Sequence, residues 1–257
     1  GSSALLAITT GTGNVALGSG ALDGTLDGHN NIAIGLGALS ADAGDGNVVI
    51  GQGAGSVHTG DQLIAIGQSA AKILTGANNT AVGHGTMEDL VEGTKNTALG
   101  YNAFGGDLDA TADASTDNIF IGYNSGSGDW VTATSNWNVG IGNSVMDAVM
   151  NGSLRNTAMG HAALSSLTTG DDNTVIGMES GNALTTGSEN VLIGKNAGDT
   201  MTTSGKNIII GFQAGDAIAA GQTTTDGTVA VGHSALKALT SGAGNVAVGY
   251  TAMALAT

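Results

Sequence analysis

Five histidines are the side chains of this 257-residue sequence best placed for proton transfer near neutral pH. His29, His58, His84, His161 and His233 form no H-E-x-x-H pair, and no cysteine is present to complete a zinc set. Despite 45 glycines there is no complete G-x-G-x-x-G, no G-x-x-x-x-G-K-[ST] and no G-x-S-x-G. The acidic turns "GDGN" (44–47) and "GDDN" (170–173) match neither an EF-hand loop nor a nonapeptide calcium repeat, and read as solvating charge. The sequence therefore points to no enzyme, no metal and no cofactor. The remaining chemistry belongs to aromatic rings, which stack on sugars. Trp130, Trp137, Tyr101, Tyr123 and Tyr250 are the candidate ligand-binding residues on that reading.

The spacing of these residues depends on a repeat. A five-residue unit such as "NVALG", "NIAIG", "NTAVG" or "NIIIG" occurs fourteen times, beginning at Asn14, Asn31, Asn47, Leu63, Asn79, Asn96, Asn118, Asn138, Asn156, Asn173, Asn190, Asn207, Thr228 and Asn245. Most spacings are 16 to 18 residues, with 22, 20 and 21 after Asn96, Asn118 and Asn207. Numbering each coil from that first residue, position one is Asn in twelve copies and position five is Gly in all fourteen. Positions two and four are Val, Ile, Leu, Thr or Met and lie on one face of a short strand, while the usual Ala at position three implies close packing on the other. The fifth-position glycines (Gly18, Gly35, Gly51, Gly67, Gly83, Gly100, Gly122, Gly142, Gly160, Gly177, Gly194, Gly211, Gly232 and Gly249) mark a turn of positive φ or a close backbone approach. The asparagines suit a turn and, stacked, a side-chain ladder.

The second half of the coil, as in "SALKALTSG" and "HAALSSLTTG", places Ala at position eight and an apolar residue near twelve. That spacing predicts one or two helical turns or, as the alternative, a second short strand. Neither half can bury its apolar face alone, so coils must stack. The expectation is an all-β or β-rich repeat solenoid, a parallel β-roll or β-helix of about fourteen coils of about 17 residues. It reads as a single domain over 1–257, with a half-coil at 1–13, repeats over 14–257 and extended loops at 105–117, 126–137 and 215–227. The loop 126–137 holds both tryptophans, as a binding face or as covers over an irregular coil.

Position six is aromatic or His in half the coils: His84, Tyr101, Tyr123, His161, Phe212, His233 and Tyr250. The column flanks the strand, packing against a neighbouring coil or subunit or offering a sugar-binding stripe. Thr corners such as those at 168 and 185 raise ice binding as a further alternative, against which their register drifts. A net charge of −15 opposes contact with nucleic acid and anionic membranes, and no apolar run reaches the ~18 residues of a membrane span.

These repeats resemble the "NxAIG"-type heads of trimeric autotransporter adhesins (YadA-like), and "GNVAVGYTAM" and "NTALGYNAF" are similar to repeats of phage tail-fibre and bacterial surface-fibre proteins. The resemblance runs from Asn14 onward, although the adhesin-head coil is shorter. It implies an extracellular fibre at a cell or virion surface. Residues 4–14, "ALLAITTGTGN", match the second half of a coil, and "YTAMALAT" matches the first part of that same half, so neither end reads as capped, as expected of a piece of a longer array or of subunits that stack end to end. The expected partner is the chain itself, as an end-to-end filament or a trimer, with a surface glycan as the alternative partner.

Overall fold

A computed structural model describes residues 1–106, 114–131, 133–218 and 225–255. Parts of the three expected loops (107–113, 132 and 219–224) lie outside the described residues. The chain divides into two compact units, Gly1–Thr134 and Ser135–Thr257, taken here in turn.

The first unit holds seven strands: β1 (Val15–Leu17), β2 (Ile32–Ile34), β3 (Val48–Ile50), β4 (Ile64–Ile66), β5 (Thr80–Val82), β6 (Thr97–Leu99) and β7 (Ile119–Ile121). Each pairs in parallel with the next at identical coil positions, so that Val15 faces Ile32 and Thr97 faces Ile119. The second unit repeats this with β8 (Val139–Ile141), β9 (Thr157–Met159), β10 (Thr174–Ile176), β11 (Val191–Ile193), β12 (Ile208–Ile210), β13 (Val229–Val231) and β14 (Val246–Val248). The 22-residue spacing after Asn96 leaves register intact, because its extra residues fall in the connection. The fold is the expected parallel β-solenoid.

The second half of the coil is neither helix nor strand but a run of turns. Residues at positions seven and nine take left-handed φ, as at Ala162 (52°) and Leu164 (51°), between neighbours of negative φ. The alternation aims peptide groups along the stack rather than around a helix axis. The Gly37 N–H donates to the Ser19 carbonyl at 2.9 Å, and the Leu22 N–H to the Ala38 carbonyl at 3.1 Å. A helical turn would spend those groups within its own coil, whereas here they tie coil to coil. A bulky residue in this region costs about 1 kcal/mol or more, which the inter-coil bonds and the burial of its side chain offset.

Each interior is narrow. Position three of the strand points inward, where Ala33, Val49, Ala65, Ala81, Ala98 and Phe120 are buried, and meets positions eight, nine and twelve of the turn half. Sizes at positions three and nine are reciprocal. Ala33 goes with Leu39, Ala81 with Met87, Ala98 with Phe104 and Ala158 with Leu164. Val49 goes with Gly55, Phe120 with Gly126, Leu192 with Gly198 and Ile209 with Gly215. A Cβ on Gly126 would lie 2.6 Å from the Phe120 ring, and one on Gly215 2.7 Å from Ile209 Cδ1, so the pairs share one volume.

Candidate functional site

The asparagine column is buried and forms the expected ladder, bonded to backbone as much as to side chains. In the first unit the Asn31, Asn47 and Leu63 N–H groups donate to Oδ1 of Asn14, Asn31 and Asn47, each at 2.8 Å. In the second the chain runs from Asn138 through Asn156, Asn173 and Asn190 to Asn207, at 3.0–3.1 Å. The amide Nδ2 then donates to the corner carbonyl three residues before the next asparagine, as from Asn173 to Gly187 at 2.9 Å. One side chain thus satisfies two buried backbone groups one step along the stack. Where Thr228 takes the place of Asn its hydroxyl is too short for this role, and its Oγ1 is buried without a partner among the described residues.

The fourteen fifth-position glycines all have φ between 132° and 145°. At Gly142 an added Cβ would sit 2.6 Å from the carbonyl oxygen of Gly160, its counterpart one coil on. The column therefore requires both the positive φ and the close approach that the sequence signalled.

Positions two and four point outward. Ile64, Leu99, Ile119, Met159, Ile176 and Ile208 are each exposed although they belong to paired strands. Position six continues that surface as two aromatic ladders. In the first unit His84 stacks on Tyr101 (centroids 5.3 Å apart, planes 6°) and Tyr101 on Tyr123 (5.4 Å, 12°). In the second, Phe212 stacks on His233 (5.0 Å, 27°) and His233 on Tyr250 (5.1 Å, 30°). The rings spend faces on each other along the stack, and it is ring faces that a sugar needs. Tyr101 and Tyr123 are half exposed.

The two tryptophans part company. Trp130 is fully buried and packs on Phe104 (4.6 Å between centroids) and Phe120 (5.7 Å), closing an aromatic core in coils six and seven. Ligand contact, one of the roles expected of it, does not fit that burial, whereas the alternative of a cover over the irregular coil does. Trp137, in the second unit, is 53% exposed with φ 59°. It occupies the position just before the ladder asparagine, where the other coils have Gly, Asn, Gln or a charged residue, as at Asn30, Gly46 and Glu189.

The histidines also separate. His58 sits inside at position twelve, where other coils have Leu74, Leu90 or Leu167. Its Nδ1 lies 2.8 Å from the Leu74 carbonyl and therefore carries the proton, leaving Nε2 buried without a partner among the described residues. Burial pushes its pKa below 6.5, against the backbone bonds at Leu74 and Gly60 and the charge of Asp61. On the turn columns burial raises the Asp147 and Asp199 carboxyls, and Asp199 is raised further by Asp216 and Glu179 while the Asn196 amide lowers it. Among the described residues no group of three His, Cys, Asp or Glu side chains is arranged to hold a metal ion, no pocket is present, and no helix is long and apolar enough to cross a membrane.

Comparison with family models, with curated proteins and with solved structures gives no match.

The inward and outward sides of the strand were what sequence reasoning left unassigned. The reciprocal sizes at positions three and nine, present in the sequence itself, were the signal that identifies the inner column.

Proposed function

We propose that this chain is a non-enzymatic structural protein, the shaft or subunit of an extracellular fibre at a cell or virion surface. The observation that carries the reading is the buried asparagine ladder. It commits a polar side chain in nearly every coil to holding the next coil, and so builds stiffness along the stack. The resemblance of the repeats to surface-fibre proteins supports the same reading and supplies the location. Electron microscopy of the purified chain over a range of concentrations, with mass from light scattering, tests it. Fibres or ordered assemblies that grow with concentration are expected, and a particle of constant monomer mass throughout overturns the reading.

Trp137 favours a second reading, binding of a surface glycan or receptor, because a large exposed aromatic stands where other coils carry small or polar residues. With Trp130 buried, fluorescence quenching by an aqueous quencher reports Trp137. Protection from that quencher by an oligosaccharide, lost in Trp137→Ala, would favour the binder. Unchanged quenching across an oligosaccharide panel would count against it.

A further inference from the structure

We propose that the outward strand faces are docking surfaces for a second copy of this chain. The proposal rests on the structural reading above and names the surface through which copies meet. Positions two and four supply 28 residues over fourteen coils, of which 24 are Val, Ile, Leu or Met and four are Thr. None is charged, although the chain carries 27 charged residues. A solvated face of a short strand ordinarily alternates to polar residues, yet here an apolar residue, Ala in most coils, turns in and large apolar ones turn out as well, with Ile64 and Ile208 each about 40% exposed. Strands ~4.8 Å apart and a width of five residues make each unit's face on the order of 500 Å², toward the upper end of the largest apolar patch on an ordinary monomer.

Three features select the occupant. The first is periodicity: aliphatic rows at strand spacing interdigitate best with rows of the same spacing, and an identical chain offers them in register. The second is charge. Two chains of net charge −15 repel wherever their acidic corners meet, and the strand face is the surface on which they can approach without that penalty. A basic partner would be drawn to those corners rather than to this face. The third is area. One unit's face from each of two copies gives on the order of 1,000 Å² in total, the lower bound for a specific contact. The aromatic ladders border the same faces, and Tyr is a residue type enriched at interfaces of this kind.

Sedimentation equilibrium of the full chain, with no additive, tests the proposal. The wild type is expected at a multiple of 24.8 kDa. The double variant Ile66→Glu, Ile176→Glu, with one charge in each unit, is expected at the monomer mass. The milder pair Ile66→Thr, Ile176→Thr guards against misfolding, because Thr already stands on this face at Thr80 and Thr174. It should keep the wild-type circular dichroism and raise the dissociation constant about tenfold or more. Assembly unchanged in both variants overturns this inference and leaves the fibre reading standing, since copies would then meet elsewhere. A wild type that stays monomeric at every concentration overturns both. A wild type that is monomeric yet sediments with phosphatidylcholine vesicles also overturns the proposal, by giving the face to lipid.

Discussion

The two sides of each strand follow opposite rules. In coil three, Val49 turns inward and has Gly55 facing it, while Val48 and Ile50 turn outward and stay partly exposed between the same columns of the neighbouring coils. Inside, a large residue at position three or nine is answered by a small one six positions away, and the volume is filled by side chains of the same and the adjoining coils. Outside, large aliphatics succeed one another with no compensating partner. Natural interiors are packed to crystal density, and the outer columns are composed like an interior without being packed like one. The inner column is thus a folding problem that the sequence solves by itself, and the outer columns are where the proposed contact between copies would form.

The strongest way to break this contrast is to upset one inner pair and then restore it. Met87→Gly should cost about 3–5 kcal/mol, because a fully buried side chain is deleted between Ala81 and its neighbours. Ala81→Leu alone should cost about 1–3 kcal/mol through overpacking against Met87. The double variant recreates the arrangement of Leu192 with Gly198 and should be more stable than the sum of the two changes by about 1–3 kcal/mol. Urea unfolding of the four proteins measures that coupling, and simple additivity would mean that positions three and nine do not share a volume.

The asparagine ladder gives the next largest effect. Asn173→Ala removes the acceptor of the Asn190 N–H and the donor to the Gly187 carbonyl, both buried. Stranding these groups should cost about 2–3 kcal/mol. Amide exchange should rise first at Asn190 and Val191, at the start of the next coil. Exchange that rose evenly over the whole unit would instead mean that the ladder acts as one cooperative column.

How much of this was legible beforehand follows from what repeats. The coil boundaries, the parallel pairing, the glycine turn and the asparagine ladder were readable because each is imposed fourteen times, or nearly so, on one column. The turn half was not. Ala at eight and Leu at twelve imitate helical spacing, but they face inward because left-handed residues at seven and nine reverse the chain between them, and non-glycine residues such as Leu164 give no compositional sign of that φ. Trp130 misleads for a related reason. It lies in an expanded connection that reads as a surface loop, yet the aromatic pair Phe104 and Phe120 provides the apolar floor that draws it inside. The chemistry-bearing residue types proved to be mostly packing elements, which is why motif logic found nothing to assemble.

His58 sharpens the inner rule by being its polar exception. Its pKa in the folded protein lies below the unfolded value of 6.5, so the unfolded chain binds more protons as pH falls. Stability of the first unit is therefore fully expressed above that value and declines as pH drops through 6.5 toward the folded pKa. His58→Leu installs the residue found at Leu74 and Leu90 and should lie within about 1 kcal/mol of wild type at pH 8, where a lost hydrogen bond offsets a better-buried side chain. Below pH 6.5 the variant should be the more stable protein. Parallel melting curves for both proteins from pH 8 to pH 5 would place the pH-sensitive group elsewhere.

The smallest effect on stability belongs to the outer face, and that smallness is the point. Ile64→Thr and Ile208→Thr alter side chains that already meet solvent and put there a residue this column tolerates at Thr80 and Thr97. Each should change the unfolding free energy of the isolated chain by no more than about 0.5 kcal/mol. If outer and inner columns differ as argued, the same substitutions that leave the fold untouched should weaken association of copies, dividing effects on folding from effects on assembly according to strand side alone. A loss of several kcal/mol from Ile64→Thr in dilute, monomeric protein would erase the division, because the outward aliphatics would then be part of the coil's own core.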